Sequence, residues 1–529
     1  MAQPLTPPLL RIPPFPGARP PALVRGAAIP GGAAGDSGED LAALLKDARV
    51  GGTYWGAQPA LPPAPYRLIA TAADRFEIHP ANGDAVRITG PCDPWHLVSG
   101  ASEVSGDGDQ ALLVVAALSG VPVRCPAGPL AALSAGDDDA LHQILAEQVG
   151  RIQYADPFTG EATSAAAAIA LCGFWRALID ANRSIDAAVG FGRWKQPTAA
   201  PLLWGGRPVV FASDAARATG RKIAVWRART APAVLAALEA ADIDLVEVED
   251  GFIRSAGLGA DCIPPLSIVL DELGIYFDPS RPSALERLLA EGDFDAATLA
   301  RAARLRELIV DQGISKYAVG GATLRRRNAK PHVLVPGQVE DDRSVLSGGG
   351  AVRTNLELLR RVREQRPDAH VIYKPHPDVE AGHRSGAIAD QAALALADEI
   401  IRDPPITAAI TLADEVHVNT SLAGFEALLR GKPVTTYGVP FYAGWGLTRD
   451  LGAVPDRRKA TRTLDELVAA ALLRYPRYLD PVTGLPCPPE ILVRRLAEGR
   501  SGTTDGLLVG LRRVQGRTRR LASALRFWR

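Results

Sequence analysis

Cysteine is scarce in this 529-residue sequence, and its five cysteines stand far apart with no CxxC pair. Disulfide-stapled domains and structural zinc sites need closely spaced cysteines, so both are excluded and reduced core thiols are expected. Net charge is lacking as well, since Lys+Arg and Asp+Glu both total 59. This balance argues against a protein whose main task is bulk nucleic-acid binding.

Long apolar runs are also missing. No segment reaches about 18 uninterrupted apolar residues, the length that a membrane-crossing helix needs, so none is predicted. The first residues are rich in proline, and no basic region precedes an apolar core, which argues against an export signal. We therefore expect the protein on the cytoplasmic side.

What the chain does contain is an alternating pattern of strand-like and helix-like runs. Hydrophobic residues make up 47% of it, enough for several globular cores. The alternation predicts an α/β fold with two Rossmann-like halves and a cleft between them. No G-x-G-x-x-G follows a strand, so a dinucleotide-type phosphate loop is not predicted. Near the start, "GEDLAALLKDA" is predicted to be a helix, and "YRLIATA" and "WHLVSG" are predicted to be strands.

One short motif occurs twice. "YADPFTG" begins at Tyr154 and "YLDPVTG" begins at Tyr478, with five of seven positions identical and an offset of 324 residues. That offset suits a two-domain module. We interpret the chain as one full module, about 187–500, preceded by the shortened remnant of a second.

Two acidic clusters lie near predicted strand ends, the sheet edge where α/β proteins bind ligands. In "VEDGFIRSAGLGAD", Glu249 and Asp250 precede Arg254 and Ser255, which indicates either an acid with an anion-binding arginine or a capped turn. In "VPGQVEDDRS", the adjacent acids at 340–342 fit three interpretations: a DxD-like metal site, a carboxylate nucleophile or base, and a charged helix N-terminus. Spacing alone leaves these alternatives open.

Two further clusters are typical of phosphate binding. "VIYKPHPDVEAG" holds Lys374, His376 and Asp378 just after a strand, where lysine and histidine can donate to a phosphate. In "EVHVNTSLAGFEALLRG", a strand meets Thr420-Ser421 and a helix begins, which leaves free backbone N–H groups behind a capping hydroxyl. Glu426 in the second turn of that helix is either a ribose ligand or a surface acid.

Together these motifs resemble the capsular polysaccharide β-Kdo transferases of the KpsC type. The resemblance runs from about 187 to the C-terminus. It is carried by "EDGFIRSAGLGAD", "PPLSIVLDELGIYFDPSRPSALERLL", "SKY", "LVPGQVEDD", "NLELLRRVRE", "YKPHPDV" and "TSLAGFEALLRGKPVTTYGVPFYAGWGLT". It implies a GT-B-like pair of Rossmann-like domains that moves Kdo from CMP-β-Kdo with retention of configuration. The product would be the poly-Kdo linker that joins a capsule chain to a phospholipid anchor. The family implies no metal and no cofactor, CMP-Kdo being the donor substrate.

The resemblance also implies roles for individual residues. Asp342 would be the nucleophile, and Glu249 would be the acid/base. The residues implied to bind CMP or substrate are Asp250, Arg254, Ser255, Gln338, Lys374, His376, Asp378, Thr420, Ser421 and Glu426.

The N-terminal part departs from the family. It keeps the terminator "YADPFTG" but has no "EDGF", "EDD" or "KPHPD", so we interpret it as catalytically dead. The predicted divisions are an irregular Pro/Gly/Ala-rich start at 1–66, the degenerate remnant of a first transferase module at 67–186, an acceptor-side Rossmann-like domain with a helical insert at 187–330, a CMP-sugar donor-binding Rossmann-like domain at 331–500, and a basic amphipathic tail at 501–529.

Partners and location follow from the same resemblance. The implied acceptor is a Kdo-primed glycolipid elongated through a (2→7) linkage, and the implied partners are the capsule assembly and ABC export machinery. The tail, with seven arginines, is either an amphipathic helix on the anionic inner leaflet or a solvated basic segment. The implied location is the inner face of the inner membrane. Three alternatives remain: a non-catalytic scaffold of the assembly complex, a transferase for another CMP-activated nonulosonate, and a metal-dependent GT-A enzyme.

Overall fold

The computed structural model describes residues 5, 7–26, 36–255, 263–316, 324–382 and 384–500. The predicted basic tail at 501–529 lies outside these residues. The chain divides into two compact units. Unit 1 comprises Met1–Ile185, Leu203–Val209 and Thr483–Leu485, and unit 2 comprises Asp186–Leu202, Val210–Val482 and Pro486–Arg529.

Unit 1 contains two sheets. Its elements in chain order are β1 (Val24–Gly26), α1 (Gly38–Ala48), β2 (Tyr66–Ala72), β3 (Arg75–Pro80), β4 (Val86–Thr89), α2 (Pro94–Val98), β5 (Ala101–Gly106), α3 (Gln110–Leu118), β6 (Val123–Arg124), α4 (Asp138–Leu145), β7 (Gln153–Ala155), β8 (Ala162–Thr163) and α5 (Ala165–Asn182). One sheet has the order β4-β3-β2-β5-β6, and the other has the order β1-β7-β8. In the larger sheet, β2 is antiparallel to β3 and parallel to β5.

Local capping explains two elements of unit 1. The predicted helix "GEDLAALLKDA" is confirmed as α1, and Ser37 caps it by accepting a hydrogen bond from the backbone N–H of Asp40. The prediction of a strand at "WHLVSG" is wrong, because most of it forms α2. Asp93 caps that helix by accepting from the N–H of Trp95, and Pro94 occupies the first turn. An Asp-Pro start of this kind favours a helix over the strand that the apolar residues suggested.

Helix α5 is long and apolar enough to cross a membrane by length and composition. Its buried face includes Cys172 and Trp175, as expected for a core helix of unit 1. The same face carries Arg176, whose guanidinium donates two hydrogen bonds to the fully buried carboxylate of Asp93, at 3.0 and 2.7 Å. A paired charge inside the packed face identifies α5 as a core helix.

Unit 2 contains two larger sheets. Its elements in chain order are β9 (Ile185–Val189), α6 (Gln196–Leu203), β10 (Val210–Ala212), β11 (Lys222–Val225), α7 (Pro232–Ala240), β12 (Asp244–Asp250), β13 (Ser267–Asp271), α8 (Ala284–Glu291), α9 (Ala296–Asp311), β14 (His332–Pro336), α10 (Arg343–Gly348), α11 (Asn355–Gln365), β15 (His370–Lys374), α12 (Pro377–Glu380), α13 (Asp390–Leu394), β16 (Glu399–Ile400), α14 (Ile406–Leu412), β17 (Glu415–Val418), α15 (Leu422–Leu429), β18 (Val434–Thr436), β19 (Arg449–Asp450), α16 (Leu464–Val468), β20 (Pro476–Leu479), β21 (Pro486–Cys487) and α17 (Pro489–Ala497).

The first sheet of unit 2 is mixed. Its order is β10-β9-β11-β12-β13-β20-β21. β10 pairs parallel with β9, and β11 pairs parallel with β12, as the alternating pattern predicts. The sheet then changes direction, because β13 pairs antiparallel with both β12 and β20. β20 and β21 are also antiparallel, since a short hairpin joins them and parallel strands need a long crossover.

The second sheet of unit 2 is parallel throughout, with the order β16-β15-β14-β17-β18-β19. Counted from its own first strand this is 3-2-1-4-5-6, the order of doubly wound dinucleotide-binding sheets. Its strands β14 and β15 are buried at every residue, as expected when helices cover both faces. The order reverses between β14 and β17, where such folds bind ligands at the carboxyl ends of the strands.

Both copies of the repeated motif form the same series of elements. In unit 1, α4 continues into a π-helical segment, and β7 and β8 then form a hairpin before α5. In unit 2, α16 continues into a π-helical segment, and β20 and β21 form a hairpin before α17. Tyr154 faces Thr163 in the first hairpin, and Tyr478 faces Cys487 in the second. The motif glycine has a left-handed φ of +75° in one copy and +71° in the other, so the two copies are structurally equivalent.

Candidate active site

A cleft of about 1780 Å³ opens in unit 2 where the carboxyl ends of strands from both sheets meet. It brings together most of the residues predicted from the sequence. Those that line it are Glu249, Asp250, Gln338, Asp342, Lys374, His376, Asp378, Thr420, Ser421 and Glu426. The first two come from the mixed sheet, and the others follow strands of the parallel sheet.

Within the ranges that the structure describes, Arg254 and Ser255 do not line the cleft. Arg254 is only 1% exposed, and its Nε donates to the Asp250 carboxylate at 2.7 Å. Its other nitrogens donate to Ser255 Oγ at 2.8 Å and to the carbonyl oxygen of Ile263 at 2.9 Å. In this structure the guanidinium thus holds Asp250 and its own loop, and direct ligand contact by Arg254 or Ser255 stays a prediction.

Glu249 stands at the end of β12, half-buried in the cleft wall. Its Oε1 accepts hydrogen bonds from the indole N–H of Trp226 and from the backbone N–H of Asp250, each at 3.0 Å. Burial raises the pKa of Glu249, and the negative charge of Asp250 raises it further. A carboxyl group with a raised pKa is suited to accept and return a proton near neutral pH.

Asp250, the next residue, behaves differently. Burial alone would raise the pKa of Asp250, but the cations Arg254, Lys195 and Lys316 together lower it well below the ordinary value. Its Oδ2 accepts from Arg254, while Oδ1 lies 3.7 Å from Lys195 Nζ and has no hydrogen-bond partner. The pKa of Glu249 is thus raised while the pKa of its neighbour Asp250 is lowered, a pattern typical of an acid/base centre.

The three adjacent acids of "EDD" point in three directions. Glu340 accepts from the backbone N–H of Asn355 at 2.7 Å, and Asp341 contacts Arg384 at 3.2 Å. Asp342 caps α10, where its Oδ1 accepts from the N–H and the hydroxyl of Ser344 at 3.0 and 2.8 Å. Asp342 is therefore both the charged helix start that the sequence allowed and a carboxylate on the cleft wall. Oδ2 of Asp342 accepts no hydrogen bond from a described residue.

A side-chain amide bridges the switch point of the parallel sheet. Gln338 follows β14, and its amide nitrogen donates to Thr420 Oγ1 at 2.9 Å. Its amide oxygen accepts from the backbone N–H of Thr420 at 3.0 Å. The backbone of the same glutamine exchanges hydrogen bonds with the Asn355 side chain, both at 2.8 Å. These bonds fix the loops after β14 and β17 to each other.

The "KPHPD" stretch presents a buried lysine and a histidine. Lys374, at the end of β15, donates from Nζ to the carbonyl oxygen of Arg402 at 2.9 Å. His376 caps α12, where its Nδ1 accepts from the N–H of Asp378 at 3.1 Å. This bond leaves the ring proton of neutral His376 on Nε2, available as a donor. Burial lowers the pKa of both Lys374 and His376.

The predicted phosphate site at α15 has the expected geometry. Ser421 caps α15, and its Oγ accepts from the N–H of Ala423 at 3.2 Å. Glu426 is 7% exposed, and its Oε1 accepts from the backbone N–H of Lys316 at 2.9 Å. Its Oε2 is buried without a hydrogen-bond partner, and burial raises the pKa of the carboxyl group. A carboxylate oxygen held in this way is ready to accept a hydrogen bond from a ligand hydroxyl.

The cleft residues that sequence reasoning missed include two lysines and two aromatic residues close to the predicted carboxyl groups. Lys316 and Tyr276 lie in stretches that carry the family resemblance, "SKY" and "ELGIYFDPS", so their signal was present but was not used. Lys195 and Trp226 belong to "GRWKQP" and "AVWRAR", which have no recognisable pattern. Only the folded sheet shows that these two residues stand beside Glu249.

Tyr276 links the carboxyl groups of the site. Burial raises the pKa of Tyr276, Lys316 opposes that rise, and the charges of Glu249, Asp342 and Asp250 add to it. Charge interactions of this kind require proximity, so the three carboxyl groups lie close enough for their charges to reach the Tyr276 phenol. The site thus joins carboxyls of both sheets in one electrostatic cluster.

Across the described parts of the chain, no group of three or more His, Cys, Asp or Glu side chains could hold a metal ion. The three acids of "EDD" do not converge, as their separate partners show. The DxD-like interpretation therefore finds no support in the geometry of these residues.

Comparisons with known proteins agree with the motifs. Residues 221–478 match the family described as "Capsule polysaccharide biosynthesis protein". LipA of Neisseria meningitidis, named a capsule polysaccharide modification protein, is 41% identical over 341 residues, which cover 63% of this chain and 48% of that protein. The chain thus spans about half the length of this curated relative.

Two solved structures of KpsC from Thermosulfurimonas dismutans are also similar. One, titled a beta Kdo 2,4 transferase, is 33% identical with a TM-score of 0.52, and the match covers 59% of this chain and 98% of that one. The other, titled a beta Kdo 2,7 transferase, is 36% identical with a TM-score of 0.49, and the match covers 60% and 99%. The first comparison covers nearly all of a solved relative at more than 30% identity.

Proposed function

Because this chain belongs to the capsule polysaccharide biosynthesis family, with a KpsC β-Kdo transferase among its relatives, we propose that it is a glycosyltransferase. In this proposal it moves β-Kdo from CMP-Kdo to a Kdo-primed phospholipid acceptor and retains the anomeric configuration. The mixed sheet and the parallel sheet of unit 2 would be the acceptor-side and donor-side halves of a GT-B-like fold.

One observation carries this proposal: Glu249 and Asp342 come from different sheets yet line one cleft and influence the same phenol. A retaining transfer needs a nucleophile and a separate acid/base at one anomeric carbon. Asp342 keeps a carboxylate oxygen free of described hydrogen-bond donors, as a nucleophile requires. Glu249 has the raised pKa of a proton acceptor.

The proposed reaction has two displacements. The Asp342 carboxylate attacks the anomeric carbon of Kdo, and the bond to the phosphate oxygen breaks with its electron pair leaving on CMP. The acceptor hydroxyl then attacks the same carbon and gives its proton to Glu249, while the ester bond breaks and restores Asp342. Two inversions at one carbon retain the configuration.

The donor side offers groups suited to CMP. The Nε2 proton of His376 can donate to the phosphate, and Lys316 adds positive charge, since it acts on the pKa of His376. The N-terminus of α15 behind Ser421 supplies free N–H groups. We assign the unpartnered oxygen of Glu426 to a ribose hydroxyl. These contacts would stabilise the leaving phosphate without a metal.

The remaining features belong to the same proposal. We propose a (2→7) linkage, action within the capsule assembly and ABC export machinery, and a location on the inner face of the inner membrane. The basic segment at 501–529 would bind the anionic leaflet. CMP-Kdo is the donor, and no cofactor is required.

The test is a transfer assay with CMP-Kdo generated in situ and fluorescent lipid acceptors that end in Kdo of either linkage. Asp342→Asn is expected to lose at least about 1000-fold in rate, the usual loss when a nucleophile is removed. Asp341→Asn is the matched control, because its side chain contacts Arg384 outside the proposed chemistry, and it should transfer at nearly the wild-type rate.

Several results would contradict the proposal. Equal loss in both Asp variants would deny Asp342 a special role. Transfer that stops with EDTA would favour a metal-dependent enzyme, and transfer from CMP-sialic acid instead of CMP-Kdo would assign another nonulosonate donor. If wild type transfers nothing to either acceptor, the scaffold alternative becomes the better account. A Kdo-sized mass adduct on Asp342 would support the covalent route.

A further inference from the structure

The reaction proposed above makes no use of the buried cation Lys195. Lys195 is 4% exposed and lines the cleft on the side of the mixed sheet. Its Nζ lies 3.0 Å from the ring centroid of Trp226 and 5.3 Å from that of Trp194. Its ion-pair contact is with Asp250, at 3.7 Å, and among the described residues Nζ donates no hydrogen bond. An ammonium group has three donors, and burial without acceptors is unfavourable unless a ligand supplies them.

The backbone holds Lys195 in this position. The loop after β9 begins at Gly190, which has a φ of +85°. A Cβ there would lie 2.6 Å from the carbonyl oxygen of Trp226, so only glycine lets the two loops approach so closely. The N–H of Trp226 also donates to the carbonyl oxygen of Val189 at 2.9 Å. Lys195 is thus fixed beside Glu249, whose Oε1 accepts from the same indole.

The charged groups around Lys195 are compatible with a bound anion. Asp250 is already hydrogen-bonded by Arg254, which satisfies one of its oxygens. Lys195 and Lys316 add two more positive charges that act on both carboxyls. Lys316 also acts on Glu426 and His376. Lys195 lies 3.7 Å from the Asp250 carboxylate, and its Nζ donates no hydrogen bond to a described residue, so it is the cation that a ligand carboxylate could pair with.

We propose that Lys195 is the anion-binding residue of an acceptor subsite, where it takes the carboxylate of the acidic sugar that ends the acceptor. Trp194, which is partly exposed beside it, provides an aromatic face for the sugar ring. The subsite lies next to Glu249, the group proposed to take the acceptor's proton. This inference rests on the proposed function and names its acceptor contact.

The donor sugar also carries a carboxylate, so the side of the cleft on which Lys195 lies matters. The cations that act on His376 are Lys316 and Arg384, and Lys195 is not among them. Asp250, Glu249 and Trp226, the groups around Lys195, all belong to the mixed sheet or the turn after β11. Lys195 therefore serves the acceptor side of the cleft.

The experiment pairs a protein change with a ligand change. Full-length wild type and Lys195→Met are assayed with two fluorescent acceptors, one ending in Kdo and the other ending in Kdo whose carboxylate is converted to a carboxamide. Wild type is expected to prefer the carboxylate by about 10- to 100-fold in kcat/KM, the range of a hydrogen-bonded charge pair. Lys195→Met should lose this preference, mainly through the acceptor KM, and Lys195→Arg should restore part of it.

Donor use separates this role from a general disturbance of the site. In the absence of acceptor, Lys195→Met should release the first equivalent of CMP from CMP-Kdo at the wild-type rate, because that displacement comes before the step that uses Glu249. Lys222→Met is the matched control, because Lys222 is on β11, bonds to Glu272 at 2.9 Å and does not line the cleft. It should keep the full carboxylate preference.

The outcomes are distinct. If wild type transfers to both acceptors and Lys195→Met keeps the carboxylate preference, the acceptor subsite is wrong while the proposed function stands. If Lys195→Met instead raises the donor KM or slows CMP release, Lys195 belongs to the donor and the inference is overturned. If wild type transfers to neither acceptor, the proposed function fails and this inference fails with it.

Discussion

Replacing Lys195 by methionine should make unit 2 more stable. Burial lowers the pKa of Lys195 to about 8 from the ordinary 10.5, even though Asp250 and Glu249 oppose that effect. The positive charges of Arg254 and Arg229 contribute to the same lowering of the Lys195 pKa. At about 1.4 kcal/mol per pKa unit, the charged lysine destabilises the folded state by about 3 kcal/mol. Its contact with Trp226 returns about 1–2 kcal/mol. The net gain on substitution is therefore about 1–2 kcal/mol at pH 7.

The pH dependence of this gain has a definite sign. A base whose folded-state pKa is lowered destabilises the fold fully below that pKa, here about 8. Between about 8 and the unfolded value of 10.5 the folded state releases the proton while the unfolded state keeps it, and the penalty falls with rising pH because removing the proton costs less. At pH 9.5 the penalty is about 1.4 kcal/mol, so the advantage of Lys195→Met should shrink.

Differential scanning calorimetry is the appropriate assay, because a chain of two units does not meet the two-state condition and separate transitions must be resolved. At pH 7, the transition of unit 2 in Lys195→Met is expected about 1.5–3 °C above wild type. Lys222→Met, which removes an ion pair at the surface, should stay within about 1 °C. A lower transition for Lys195→Met at pH 7, or an advantage that grows at pH 9.5, would refute the electrostatic reasoning.

Three other predictions concern different parts of the molecule. Because the pKa of Glu249 is raised, the acidic limb of the pH–rate profile, measured from pH 4 to 9, should lie at a higher pH than an ordinary glutamate would give. Glu249→Gln should remove most transfer, and the activity that remains should lack this limb. Glu426→Gln should raise the Kd for CMP about tenfold by calorimetric titration, because a charged acceptor is lost, and an unchanged Kd would deny the ribose contact. Asp93→Asn should destabilise unit 1 by about 3 kcal/mol, since it leaves Arg176 buried and poorly paired, whereas Asp180→Asn on the exposed side of the same guanidinium should have a much smaller effect on the melting transition.

The sequence was most informative where chemistry and local structure coincide. Ser421 was expected to cap a helix behind a strand, and it does, because a serine between an apolar strand and an apolar helix has few other roles. Glu249 was expected at a strand end and lies there, whereas Asp342 follows β14 at the start of α10. The strands predicted before the polar clusters of the parallel sheet are present as β14, β15 and β17, while its short edge strands β16 and β19 were not predicted.

The sequence was least informative about which strands become neighbours. Lys195 follows β9 and Trp226 follows β11, and only the order β9-β11-β12 brings both beside Glu249. Nothing in a single sequence specifies that order or the antiparallel direction of β13. Arg254 illustrates a second limit of sequence reasoning. An arginine near a strand end suggests a site for a bound anion, but the partner of Arg254 in this structure is the Asp250 carboxylate, four residues earlier. The direction of the side chain decides between a ligand and a protein partner, and residue type alone does not specify it.

The repeated hairpin has a consequence for how the chain folds. β7 must pair with β1, and β20 must pair with β13, although the two hairpins are built from nearly the same motif. Chains with internal copies are prone to joining the wrong partners before their cores close. During synthesis the first copy emerges 324 residues ahead of the second, when β1 has already been made and β20 has not. The order of translation thus allows β7 to pair with β1 before the competing copy exists.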